Sequence, residues 1–129
     1  MILSFPWHSV LEVERDKTYV ALLGLVRLQS IQILPAFVRS AIKIERQLGG
    51  TTGVVGYRTA AAPHLLSFYH LSAWIDAEAI QTFVVTSPHE TSMRDLHGRL
   101  GPTIFRYWSV DGASLPLRLN DELHRICPL

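Results

Sequence analysis

From Tyr19 to Leu28 the chain alternates without ever offering a polar side. In an extended segment Val20, Leu22, Gly24, Val26 and Leu28 fall on one face, and Tyr19, Ala21, Leu23, Leu25 and Arg27 on the other. A strand apolar on both faces is one that is covered on both. The period then changes to that of a helix. Phe37, Ala41, Ile44 and Leu48 form a stripe, with Arg39, Lys43, Arg46 and Gln47 opposite. Pro35 suits the first turn, and Gly49-Gly50 suits the end. Gly53 to Ala60 and Leu65 to Trp74 predict the next two strands, joined around Ala61-Ala62-Pro63-His64. Asp76 is placed to cap a second helix carrying Ala79, Ile80, Phe83 and Val84. Ser87, Pro88 and Glu90 have the order of a capping box with proline in its favoured slot, so a separate helix is predicted from there. Its inward stripe is His89, Met93, Leu96, His97 and Leu100, and Gly101-Pro102 is the expected stop. Thr103 to Val110 predicts a fourth strand, Asp111-Gly112 a turn, and Asn120 to Ile126 a short helical piece.

The order β-α-β-β-α-β predicts an α+β fold, the ferredoxin-like split βαβ arrangement with an antiparallel sheet. It forms a single domain over 1–129, with 1–17 as a lead-in arm and 113–129 as a C-terminal tail. Helices on one side leave the second apolar face of the sheet without cover. The simplest cover is a second copy, which predicts a homodimer with two sheets packed face to face.

Composition sharpens this picture. Hydrophobic residues make up 48% and charged residues 18%, which is apolar for this size and fits surface buried in an oligomer. Net charge is +1, with twelve Lys and Arg spread along the chain, so nucleic acid and membrane are not expected partners. A lone cysteine, Cys127, cannot staple the fold, and a reducing compartment fits. Residues 1–6 lack a basic-then-apolar leader, and the longest apolar stretch, Tyr19 to Val26, falls well short of the ~20 residues of a membrane helix. A cytoplasmic location is the expectation.

Candidate chemistry concentrates on histidine and arginine. His89 and His97 lie eight residues apart on one helix, roughly 12 Å at ~1.5 Å per residue, too far to ligate one metal. There is no His-Glu-x-x-His motif, thiolate cluster, nucleophile elbow or phosphate loop, and no metal site is expected. His89 either packs on the helix stripe or points into a cavity as a proton shuttle or substrate ligand. His70 alternates with Leu66, Phe68, Ser72 and Trp74 on one strand face, and a structural role competes there with a catalytic one. Trp74 and Trp108 are core or pocket walls. Arg106 alternates with Ile104 and Trp108, and on a covered face it would need a counter-charge or an anionic ligand. Arg94 and Arg99 lie off the stripe, facing solvent.

The run WIDAEAIQTF from Trp74 to Phe83, followed by Ser87-Pro88-His89, resembles the antibiotic-biosynthesis monooxygenase superfamily. It is similar above all to an uncharacterised branch with a strand-end Trp, a Glu-Ala helix and a Ser-x-His opening the next helix. In element order the resemblance covers about residues 18–112. It implies a dimeric α+β barrel. It also implies oxygenation without a cofactor, or a related isomerisation or cyclisation, of a small apolar aromatic or polyketide-like substrate. His89 or His70 would be the base, Arg106 would hold the enolate, and Trp74, Trp108, Phe68 and Met93 would contact the substrate. The chain departs from the pattern at Phe83, where many members carry histidine. Met93 stands about where the haem-degrading branch has its haem-ligating histidine, and the only asparagine, Asn120, lies in the tail. Haem degradation is therefore disfavoured. The alternatives are a haem protein with His89 or His70 as axial ligand, and a ligand-binding dimer without catalysis.

Overall fold

The structure, a computed structural model, describes residues 2–86 and 89–126, leaving aside the side chains at 89–91 and 102. The lead-in arm runs along the sheet and not away from it. Its two short strands, β1 (Leu3–Ser4) and β2 (His8–Ser9), pair antiparallel with positions 56–61 of a later strand. The doubly apolar segment forms β3 (Thr18–Leu28). Then follow α1 (Leu34–Gly49), β4 (Val54–Ala62), β5 (Ser67–Trp74), α2 (Ala77–Val84), α3 (His89–Leu96) and β6 (Leu100–Asp111). The tail adds α4 (Leu119–Glu122) and a 3-10 turn at Leu123–Arg125. The sheet order is β4-β5-β3-β6 with every pair antiparallel, and the arm strands lie outside β4. This is the expected α+β, ferredoxin-like arrangement, with β3 at its centre.

Cross-strand register decides which side chains share a face. Val20 pairs with Trp74, Leu22 with Ser72, Gly24 with His70 and Val26 with Phe68. This face carries the helices. Leu22, Val54 and Trp74 pack there with Leu48 of α1 and with Ile80 and Phe83 of α2. A second cluster joins Leu28, Phe37 and Leu96. The helix ends are secured locally. The Asp76 carboxylate accepts the Ala79 N–H at 2.8 Å, capping α2. At the other end, Gln47 Nε2 donates to the Phe83 and Thr86 carbonyls at 3.3 and 3.1 Å, tying α1 to the last turn of α2.

Two boundaries differ from the sequence reading in a way that moves side chains. Pro63 opens a 3-10 turn and Leu66 adopts a left-handed conformation (φ 51°), so β5 starts at Ser67 and not at Leu65. Helix α3 ends at Leu96, before the Gly101-Pro102 stop, because Gly98 takes a positive φ of 82° and closes the last turn. His97 therefore leaves the inward stripe and is exposed, while Leu100 packs from β6. The Ser87–Glu90 capping box lies outside the described residues.

The second face is occupied by segments that the sequence reading left as arm and tail. Ala21, Leu23 and Leu25 of β3, Ala60 of β4 and Leu71 of β5 are covered by Leu117, Leu119 and Ile126 of the chain's own tail. Trp7 of the arm packs beside them and beside Tyr19, Val55 and Ala73. Part of the cover that the doubly apolar strands require thus comes from within the chain, while Tyr69, Ile104, Trp108 and Val110 stay partly buried beside it. Arg58 of β4 holds both ends down. Its Nε donates to the Phe5 carbonyl and its Nη1 to the Leu117 carbonyl, each at 3.1 Å. A fully buried leucine contributes about 1.5–3 kcal/mol, so the tail is part of the core in energetic effect. Leu117→Ala should then destabilise the protein by about 2–5 kcal/mol in urea unfolding. An unchanged midpoint would mean that the tail is an appendage.

Candidate functional site

Strand β5 places three hydrogen-bonding side chains on the helix face at a spacing of two. The Trp74 indole Nε1 donates to Ser72 Oγ at 2.8 Å, and Ser72 Oγ lies 2.9 Å from His70 Nε2. Trp74 and Ser72 are both 0% exposed, and the Trp74 ring leans on Phe83 at 5.4 Å between centroids. A buried indole N–H and a buried hydroxyl must find partners inside the protein, and here they find each other. Ser72 has no place among the candidates read from the sequence. The available signal was a single hydroxyl between two ring side chains at period two.

On β4, Thr59 stands across from His70, and the more distant neighbours on this face are largely apolar. Phe68 continues the same face and packs on Phe37 of α1, with centroids 4.5 Å apart. Met93 of α3 joins the cluster around Phe37 and Leu96. Opposite His70, β3 carries Gly24, and the Phe105 ring occupies the space there. A Cβ at Gly24 would lie 2.8 Å from Phe105 Cε1. Tyr57 of β4 pairs with Ser72. Burial, helped by the charge of Glu45, pushes its phenol above the ordinary value, so it stays protonated at neutral pH.

The other candidates do not join this group. Arg106 pairs with Leu23 and Trp108 with Ala21, which puts both on the face opposite His70 and Trp74. The tail reaches Trp108, where the Arg125 guanidinium stacks 3.9 Å from the ring centroid and bonds Glu122 at 2.7 Å. Arg106 is exposed and donates to the Phe105 carbonyl at 3.0 Å. Water solvates its charge, so the covered setting that made an anionic ligand necessary does not exist. His89 opens α3, and its side chain lies outside the described residues.

Two clefts open elsewhere. One of about 550 Å³ lies between the arm and β3, lined by Glu12, Glu14, Lys17 and Tyr19 among others. The other, about 440 Å³, lies at the C-terminal ends of α1 and α2, lined by Arg46, Gln47, Thr51 and Thr82 among others. Neither is lined by a candidate residue. Among the described residues no group of three or more His, Cys, Asp or Glu is gathered to hold a metal, and no helix is long and apolar enough to cross a membrane.

The chain matches no protein-family model and no curated protein. Its fold is shared with solved structures. A "putative monooxygenase" from Lactobacillus acidophilus superposes with a TM-score of 0.67 at 12% identity, over 82% of this chain and 49% of that one. A "putative antibiotic biosynthesis monooxygenase" from Deinococcus radiodurans gives 0.61 at 12% identity, over 69% and 89%. A dimeric ferredoxin-like protein of unknown function from Thermobifida fusca gives 0.63 at 9% identity, over 80% and 99%. The chain spans about half the length of the Lactobacillus protein. At these identities the likeness is one of fold alone, and it agrees with the ferredoxin-like arrangement expected from the sequence.

The close approach at Gly24 gives a test of the site's architecture. Gly24→Ala should turn the Phe105 ring away from β3, which a 45% exposed side chain can accommodate. Stability should change by no more than about 1 kcal/mol. Loss of nuclear Overhauser contacts between the Phe105 ring and position 24, with the unfolding midpoint nearly kept, is the expected result.

Proposed function

We propose that the chain is a small-molecule enzyme of the monooxygenase-like kind. It acts without a bound cofactor on an apolar aromatic or polyketide-like substrate held against the helix face of the sheet. The observation that carries this reading is the Trp74–Ser72–His70 chain on the helix face, sealed from water at Trp74 and Ser72 and half-buried at His70. The fold shared with proteins described as monooxygenases supports it. A histidine two positions from Phe68 on one strand face suits a substrate that is mostly carbon and carries one or two ionisable oxygens. Deprotonating a CH₂ next to a carbonyl gives an enolate that reacts with oxygen directly. One oxygen atom enters the product as a new carbonyl, and the other leaves as water. The protein supplies the base, His89 or His70, and apolar walls that keep bulk water from the enolate. Arg106 lies on the opposite face of the sheet from His70 and takes no part in this step.

Oxygen consumption with a panel of anthrone- and naphthol-type compounds tests the reading. Uptake should depend on substrate, be insensitive to chelators, and fall by about 10²–10⁴-fold in His89→Ala if that residue is the base. No uptake, together with a Soret band in the purified protein, would instead favour the haem-binding alternative.

Self-association belongs to the same proposal. A structural neighbour is described as dimeric, and β6 pairs only with β3, leaving an edge on which Phe105 and Tyr107 are 45% and 56% exposed. Light scattering at micromolar concentration should give twice the 14.5 kDa chain mass. A value at the single-chain mass would remove the dimer.

A further inference from the structure

We infer that Trp74 and Ser72 act as positioning residues that hold His70 in one tautomer, with the proton on Nδ1, so that any partner of that nitrogen, within the chain or bound to it, must be an acceptor. The role toward a ligand rests on the function proposed above; the tautomer does not.

The inference follows from counting protons. The indole Nε1 of Trp74 can only donate, and it donates to Ser72 Oγ at 2.8 Å. The Ser72 hydroxyl has one proton of its own and is wholly shielded from water. Its second partner is His70 Nε2 at 2.9 Å. If Nε2 carried a proton, Ser72 Oγ would accept twice, and its own proton would be buried without an acceptor. That arrangement costs the desolvation of a hydroxyl with nothing in return. If Nε2 is bare, every group is satisfied in one direction: Trp74 donates to Ser72, and Ser72 donates to His70. A neutral imidazole with a bare Nε2 carries its proton on Nδ1. Whatever meets Nδ1, a neighbouring side chain or a ligand, must therefore accept.

The chemical consequence is specific. A carbonyl, enolate or phenolate oxygen fits such a nitrogen, and the bond strengthens as negative charge develops on that oxygen. His70 then stabilises the enolate, and proton removal falls to the other candidate base, His89. The chain of donors begins at a residue sunk in the helix-face core, and the Trp74 ring is fixed there by Phe83, Ile80 and Val54. The direction of both bonds is thus set by packing.

The test is the tautomer itself. Long-range ¹H–¹⁵N correlation spectra of uniformly labelled protein at about pH 8.5, above the ordinary imidazole range, distinguish protonated from bare ring nitrogens. The His70 signals are those lost in His70→Gln. The expected result is a protonated Nδ1 and a bare Nε2, shifting toward a mixed population in both Trp74→Phe and Ser72→Ala. A protonated Nε2 in the unaltered protein overturns the inference, and that measurement needs no variant to fold. A protonated Nδ1 that persists unchanged in both folded variants also overturns it, because the hold would then lie elsewhere. Absence of oxygen uptake alongside a protonated Nδ1 would remove the enzymatic reading and leave the tautomer assignment standing.

Discussion

Everything in this molecule turns on closing the second face of β3. A central strand with Leu22 and Leu28 on one side and Ala21, Leu23 and Leu25 on the other has no face to give to water. The helices close the first face in the ordinary way of a two-layer fold. The second is closed by a tail with almost no regular structure, through Leu117, Leu119 and Ile126, and by the indole of Trp7. The arm and the tail are thus parts of one core, reached from opposite ends of the chain. The Gly112 N–H, donating to the Lys17 carbonyl at 2.8 Å, joins the segments where the arm ends and the tail begins.

The same closure gives the candidate site its character. Because the Trp74 indole and the Ser72 hydroxyl are sealed from water, they find their partners along β5. Ser72 is the hinge of that arrangement. One hydroxyl serves an obligate donor on one side and an ambivalent ring on the other, and such a group transmits direction along a strand. The apolar residues around its donor Trp74, Phe83 and Ile80 among them, preserve that direction by excluding competing water.

Local chemistry was legible in the sequence wherever it stayed local. Pro35 and Gly49-Gly50 delimit α1, and Asp76 caps α2, because each acts within a turn of its own position. The strand-to-helix order followed from periodicity and with it the ferredoxin-like fold. Relations between distant segments were not legible. Trp74 and Trp108 look alike along the chain, yet one pairs with Val20 and the other with Ala21, and that single step in register sends them to opposite faces. Arg106 followed Trp108 to the far face for the same reason. The tail's role was hidden because Leu115, Leu117 and Leu119 alternate without the length of a strand. Gly98 was passed over in favour of Gly101-Pro102, since composition does not say which of two nearby breakers takes the positive φ. Ser72 was visible as a residue but not as a partner, because a hydroxyl's value depends on what stands across from it.

The clamp formed by Arg58 has a consequence for how this protein can vary. Both of its acceptors are main-chain carbonyls, at Phe5 and Leu117. Every residue type carries that group, so the clamp places no demand on which side chains occupy those two positions. What it demands is the path of the backbone. Sequence drift can therefore rewrite much of the arm while the arginine goes on gripping it. An inserted or deleted residue between the arm and β3, by contrast, would carry the carbonyl out of reach. Selection acting through such a contact would preserve spacing and leave identity free, and relatives built on the same clamp would share lengths more faithfully than letters.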